Sequence, residues 1–187
     1  NIGISKAEIN SPIRFFNERS GLSGTINDII RFNGSLYVAT SSNVYFMDEN
    51  QNGTVEFRKI EGLTTQLFDF ALYTPPDGGA ERLFIASITG LHEILEKGRA
   101  RILDPNIRNR NIGQPYDLRR AVQSKANPDH LLIAGSSFFT LRIERNGITQ
   151  LNEINLQDII QAIAEDDNGD IWLATSIKGV TRIRISG

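Results

Sequence analysis

The stretch Ile159-Ile-Gln-Ala-Ile-Ala-Glu-Asp-Asp-Asn-Gly-Asp-Ile-Trp-Leu-Ala-Thr175 decides the fold. Its first six residues are apolar at most positions and read as a strand. Glu165–Asp170 is a turn cluster in which Asn168-Gly169 supplies the positive φ of a tight hairpin. Ile171–Thr175 returns as a near-continuous apolar run, the pattern of a strand buried on both faces. A second turn, Ser176-Ile-Lys-Gly179, leads into Val180-Thr-Arg-Ile-Arg-Ile185, which alternates with period two. Three antiparallel strands joined by hairpins result.

The middle strand recurs. Leu36-Tyr-Val-Ala-Thr40, Leu83-Phe-Ile-Ala-Ser87 and Leu131-Leu-Ile-Ala-Gly135 share its pattern, and the four copies start 47, 48 and 40 residues apart. A period of roughly 40 to 50 residues marks a propeller or a solenoid. The three earlier copies add a fourth strand, at Thr54–Arg58, Ala100–Leu103 and Ile148–Leu151. Four strands per unit, with no convincing helical periodicity, define a β-propeller blade. The chain therefore reads as all-β, one propeller domain or segment over residues 1–187, with blades at 24–61, 62–112, 113–155 and 156–187. The last blade stops after three strands, while Pro12-Ile-Arg-Phe-Phe16 and Ser20-Gly-Leu22 resemble the end of a blade, as at Phe57–Leu63. Residues 11–20 are accordingly expected to complete the fourth blade and remove its free edge. Four blades make a narrow ring, so two chains closing one ring as a homodimer, or a longer propeller, are the alternatives.

Composition narrows the function classes. The formal charge of −2 gives no bulk attraction to nucleic acid or to an anionic membrane. No apolar run approaches a membrane span. The absence of cysteine excludes disulfides, thiol catalysis and thiolate metal sites.

Ala162–Thr175, followed by Lys178-Gly-Val-Thr-Arg-Ile183, resembles the two-component regulator propeller repeat: an acidic Asn-Gly turn, a Trp-bearing strand, then Gly, an apolar residue and Arg. Gly21-Leu22, Gly62-Leu63 and Thr89-Gly-Leu-His-Glu-Ile94 are similar to further parts of that repeat. Tyr37, Phe84 and Leu132 replace its Trp in the first three blades. The resemblance implies a periplasmic or extracellular sensor domain of a bacterial signal-transduction receptor, often a hybrid histidine kinase, with a glycan fragment as ligand in some members.

Glu165–Asp170 is oxygen-rich around a glycine but lacks the order of a calcium loop, and a hairpin turn favours the same residues. With only His92 and His130, no zinc set and no acid–base pair converge. No cofactor, no metal and no catalysis are expected. Trp172 is expected to be a buried packing residue between blades. Arg108, Arg110, Arg119 and Arg120, flanking Tyr116, form a cluster suited to a carboxylate or sulfate, or simply a solvated loop.

In a propeller the entries to the first strands and the second-to-third strand turns share one rim. There the chain carries Asn27, Ser42, Asn43, Gln66, Thr89, Ser137, Gln157 and Lys178, which together with Arg108, Arg110 and Tyr116 are the candidate contacts for a small polar ligand such as a carbohydrate. A protein-binding scaffold is the alternative, and a metal-dependent propeller lyase the third reading.

Overall fold

A computed structural model describes residues 13–63, 65–96, 98–102, 117–145 and 147–184. Fifteen strands follow a short 3-10 turn at Glu18–Ser20. The first blade is β1 (Ile26–Phe32), β2 (Ser35–Thr40), β3 (Val44–Glu49) and β4 (Val55–Lys59); the second is β5 (Leu67–Tyr73), β6 (Arg82–Ser87), β7 (Gly90–Glu96) and β8 (Arg99–Ile102). The third is β9 (Leu118–Gln123), β10 (His130–Gly135), β11 (Phe138–Glu144) and β12 (Gly147–Ile154), and the fourth is β13 (Ile160–Glu165), β14 (Ile171–Thr175) and β15 (Val180–Ile183). Each blade is an antiparallel meander with its strands in sequence order. The all-β, four-bladed propeller architecture read from the sequence is what the chain forms.

Local chemistry sets the hairpins. Asn33 and Gly34 both have positive φ, at 45° and 76°, as a two-residue turn joining β1 to β2 requires. Thr40, Ser87 and Thr175 each end a second strand and close the following turn: their hydroxyls donate to the carbonyls of Asn43, Gly90 and Gly179. This explains why a hydroxyl recurs at the end of the repeated motif. Each such turn is also tied to the entry of its own blade. Ser41, Ile88, Ser136 and Ser176 donate backbone N–H to the carbonyls of Thr25, Gln66, Asp117 and Ile159.

Cohesion comes from side chains shared between blades. Tyr37, Ala39, Val44 and Phe46 of the first blade pack on Leu67, Phe70, Leu83 and Ile85 of the second. Phe84, Ala86 and Leu91 pack in turn on Leu118, Leu131 and Ile133. Leu132, Ala134 and Phe138 then meet Ile160, Ile171 and Leu173. One face of the second and third blades thus serves the blade before and the other face the blade after. Burying an aromatic such as Phe84 in this way contributes about 2–3 kcal/mol. Carboxylates add a second tie between neighbours: Asp28 accepts from Phe70 N–H at 2.8 Å and Asp69 from Ala121 N–H at 3.2 Å.

Two expectations need correction. Residues 13–22 do not complete the fourth blade, which has three strands, β13-β14-β15, among the described residues. They lie against the first blade instead: Leu22 joins Val38, Tyr45 and Phe57 in a cluster, and the Phe16 ring meets Phe57 edge-on at 5.4 Å. Those rings offer buried apolar surface that the exposed edge of β15 does not. Trp172 is not a buried packing residue: it is 37% exposed. Its neighbours Ile171 and Leu173 do face the core, but β14 alternates, and within the described residues no blade covers its other face.

Candidate functional site

The rim proposed from the sequence is real as geometry, because strand entries and second-to-third strand turns are hydrogen-bonded together in all four blades. Many of its polar groups are engaged in holding that geometry. Asn27 donates its amide to the Leu67 carbonyl at 2.6 Å, linking the first blade to the second. Asn43 donates its amide to Ser42 Oγ, and its backbone N–H to Thr40 Oγ1. Gln157 takes a positive φ of 55° and donates its N–H to Asn155, so it forms a turn. Lys178 donates Nζ to the Leu156 carbonyl, while Asp158 accepts the N–H groups of Ile177 and Lys178. Three backbone N–H groups around Asp158 hold that carboxylate below its ordinary range.

The rim gathers Thr65, Gln66, Ser87, Thr89 and His92 at the second blade. Thr89 Oγ1 lies 3.2 Å from Thr65 Oγ1 and 3.1 Å from Ser87 Oγ. His92 Nε2 lies within 3.2 Å of Thr89 Oγ1 and 3.1 Å of Ser87 Oγ. Ser87 gives its own proton to the Gly90 carbonyl, so the neutral imidazole donates from Nε2. Burial drops its pKa to about 4, and Nδ1 is buried with no partner among the described residues. Ser137 is also buried, with its Oγ unpaired among the described residues. It is therefore not a rim contact. Arg108, Arg110 and Tyr116 lie outside the described residues. Of the rest of that cluster, Arg119 pairs with Asp117 at 2.9 Å and stacks on Phe68, and Arg120 donates to the Arg119 carbonyl.

The opposite side of the molecule holds a cleft of about 440 Å³ between the second and third blades. Tyr73, Pro75 and Pro76 contribute apolar lining, and Arg82, Arg101 and Arg145 line it together with Asp77, Asp129 and Glu144. Two of these guanidinium groups are held by Glu93, which is buried and bonded to Arg82 Nε at 2.7 Å and to Arg101 Nη2 at 2.7 Å. Burial raises the Glu93 pKa, but the hydrogen bonds and charges of the two guanidinium groups outweigh it and hold the carboxyl below its usual range. Arg82 also lies over the Phe84 ring, so it is fixed from two sides. Sequence reading missed this site, because Arg82, Glu93 and Arg101 stand on three different strands with unremarkable local patterns. The one available signal was Glu93 in an otherwise buried strand.

The acidic turn is a structural turn. Asp166 accepts the N–H groups of Asn168 and Asp170 with one oxygen, and Trp172 Nε1 at 2.9 Å with the other. The bond from Trp172 leads the effects that hold the Asp166 carboxyl below its ordinary range. Asp170 is buried and takes Arg182 in a charge-assisted pair, and Arg182 lies over the Trp172 ring. Glu165 reaches back to the third blade, accepting from Ser124 Oγ and Ala126 N–H. Among the described residues no group of three or more His, Asp or Glu side chains converges on a metal position.

Comparison with known proteins agrees with this fold. Residues 155–176 match the family described as two component regulator propeller. No curated protein matches the sequence. Among solved structures, a catalytically inactive variant of virginiamycin B lyase from Staphylococcus aureus, crystallised with quinupristin, is similar at a TM-score of 0.52 and 11% identity. The similarity covers 87% of this chain and 56% of the lyase, so the chain spans about half the length of that protein. At this identity the likeness is one of fold. A propeller carrying a regulator repeat is a signalling-related or interaction module. Among the described residues, no helix is long and apolar enough to cross a membrane.

Proposed function

We propose that this chain is a ligand-sensing propeller segment of a bacterial signal-transduction receptor, working outside the cytoplasm and recognising a neutral, hydroxyl-rich ligand such as a glycan fragment. The observation that carries the reading is the regulator-propeller match over β13 and β14 in a chain built of such blades. The cleft between the second and third blades is the place for the ligand. Its volume falls within the range of small-molecule sites. Guanidinium and carboxylate groups in one lining suit hydroxyls, which accept from the guanidinium groups and donate to the carboxylates. Pro75 and Pro76 add apolar surface for a sugar ring.

A panel of neutral di- to tetrasaccharides, tested by thermal melting, checks this. A ligand that binds only the folded chain at a hundred times its Kd stabilises by about 2.7 kcal/mol, a shift of several degrees for a domain of this size. Arg145→Ala should abolish the shift, and Thr89→Ala on the far rim should leave it. A shift lost with Thr89→Ala instead would move the site to the rim. No shift with any member of the panel would favour a protein-binding scaffold. That second reading has its own support in the uncovered apolar face of the fourth blade, where Trp172, Ile177 and Val180 are exposed.

A further inference from the structure

The blades are in register, so each position can be followed through the molecule. Tyr37, Phe84, Leu132 and Trp172 hold one place on the second strand. Val44, Leu91, Phe138 and Val180 hold one place on the third, opposite Ala39, Ala86, Ala134 and Ala174. In the first three blades these residues are buried under the next blade. In the fourth, Trp172 is 37% and Val180 66% exposed. The opposite end shows the complementary defect. Ile26 and Ile29 of the first blade stand where Leu67 and Phe70, Leu118 and Ala121, and Ile160 and Ile163 meet a preceding blade. There Ile29 is 59% exposed, and an open groove of about 460 Å³ runs between residues 16–24 and Ile26.

The backbone carries the same message. Among the described residues β15 is paired on one side only, whereas β3, β7 and β11 each have a fourth strand beyond them. The segment before β1 has the position of a blade's exit: Gly21 approaches the Phe57 carbonyl as Gly62 approaches that of Ala100. A Cβ on Gly21 would stand 2.4 Å from that oxygen, so the close approach needs glycine. By this equivalence residues 13–16 occupy the place of a fourth strand belonging to a blade ahead of the first. Among the described residues, then, the outer edge of β15 carries no fourth strand, and residues 13–16 belong to none of the four sheets.

We propose that the fourth blade of one copy of this chain receives the first blade of a second copy, with residues 13–16 of the partner lying against β15 as its fourth strand. Two such contacts close a two-fold ring of eight blades, because a head-to-tail contact that returns on itself gives a closed assembly. A second copy is the occupant the page favours: the new contact continues an interface already formed three times within the chain, and both halves of it are present. The closure forgoes one tie, since Ala162 stands where Asp28 and Asp69 bond the next blade, but Arg120 stands there at the third junction, which forms regardless. This inference does not rest on the ligand reading.

Light scattering over a concentration series of the 187-residue chain tests it. The expected mass is about twice 20.9 kDa. Val180→Asp on one face and Ile29→Asp on the other should each weaken the dimer on the order of a hundredfold or more, since each sets an unpaired carboxylate in an apolar contact. Both positions are exposed in the isolated chain, so urea midpoints of the monomeric variants should stay within the range of surface substitutions. A monomer at every concentration would overturn the proposal. So would a dimer that survives both substitutions, or open-ended growth to larger masses.

Discussion

Asp69 and His92, both in the second blade, have opposite effects on how stability varies with pH. Burial raises the Asp69 pKa to about 6, against the opposing pull of Ala121 N–H and Arg120, with Asp28 adding to the rise. Between the unfolded value near 3.8 and about 6 the folded chain holds a proton the unfolded chain has released. Stability from this group is therefore present at low pH and lost as pH rises through 6. His92, lowered from 6.5 to about 4, acts in reverse: from pH 6.5 down to 4 the unfolded chain takes up a proton that the folded chain refuses, and stability falls with pH. Each effect amounts to at most about 3 kcal/mol, so the two largely offset between pH 4 and 6. Asp69→Asn keeps an acceptor for Ala121 N–H and removes the ionisation cost. It should raise stability at pH 7 by about 1–3 kcal/mol and expose the His92 slope, seen as urea midpoints that fall from pH 6.5 to 4.5. A variant no more stable than the parent at pH 7 would mean that the Asp69 carboxylate is well solvated. Beside the cleft, Glu93→Ala strands Arg82 in a mostly buried position and should cost about 3–5 kcal/mol, measurable by urea denaturation.

At the scale of strands and turns, Gly135 shows how far the repeat pattern can be read. It stands where Thr40, Ser87 and Thr175 use a hydroxyl to close the turn, so a repeat-based repair would introduce Ser or Thr there. A Cβ at Gly135 would lie 1.7 Å from the Asp117 carbonyl oxygen, which no side-chain movement relieves. Gly135→Ser should therefore destabilise by about 3 kcal/mol or more instead of restoring the pattern, read as a fall in Tm of ten degrees or more. A neutral or stabilised variant would show that the third blade's rim can open. The strands themselves were legible because alternation and Asn-Gly turns act locally: β14 has the bounds the pattern indicates. Trp172 was misread because the apolar run Ile171–Leu173 reports what a strand is made of, not whether another blade arrives to cover it. The cleft was invisible for a related reason. Its charges meet inside the second blade, where Glu93 of β7 stands opposite Arg101 of β8 and Phe84 of β6, two residues from Arg82, and that meeting depends on the register of three strands.

For the whole molecule, period and strand count were enough to give a four-bladed propeller, and the register of the blades shows which faces have no neighbouring blade among the described residues. The three internal junctions bury the same positions that Trp172, Val180 and Ile29 expose at the ends. Ring closure within one chain is the natural reading of Pro12–Leu22, since that segment matches the end of a blade. Residues 13–22 go to the first blade because Phe16 and Leu22 find Phe57, Tyr45 and Val38 there. The most direct test of this account uses the chain's lack of cysteine as a clean background. The pairing of Asp48 with Glu56 in the first blade places Phe15 of one copy opposite Arg184 of the other, and both are exposed. Phe15→Cys and Arg184→Cys chains, mixed and mildly oxidised, should give a disulfide-linked species of about twice 20.9 kDa that neither variant forms alone. Absence of that cross-link, with both variants folded, would contradict a ring built from two copies.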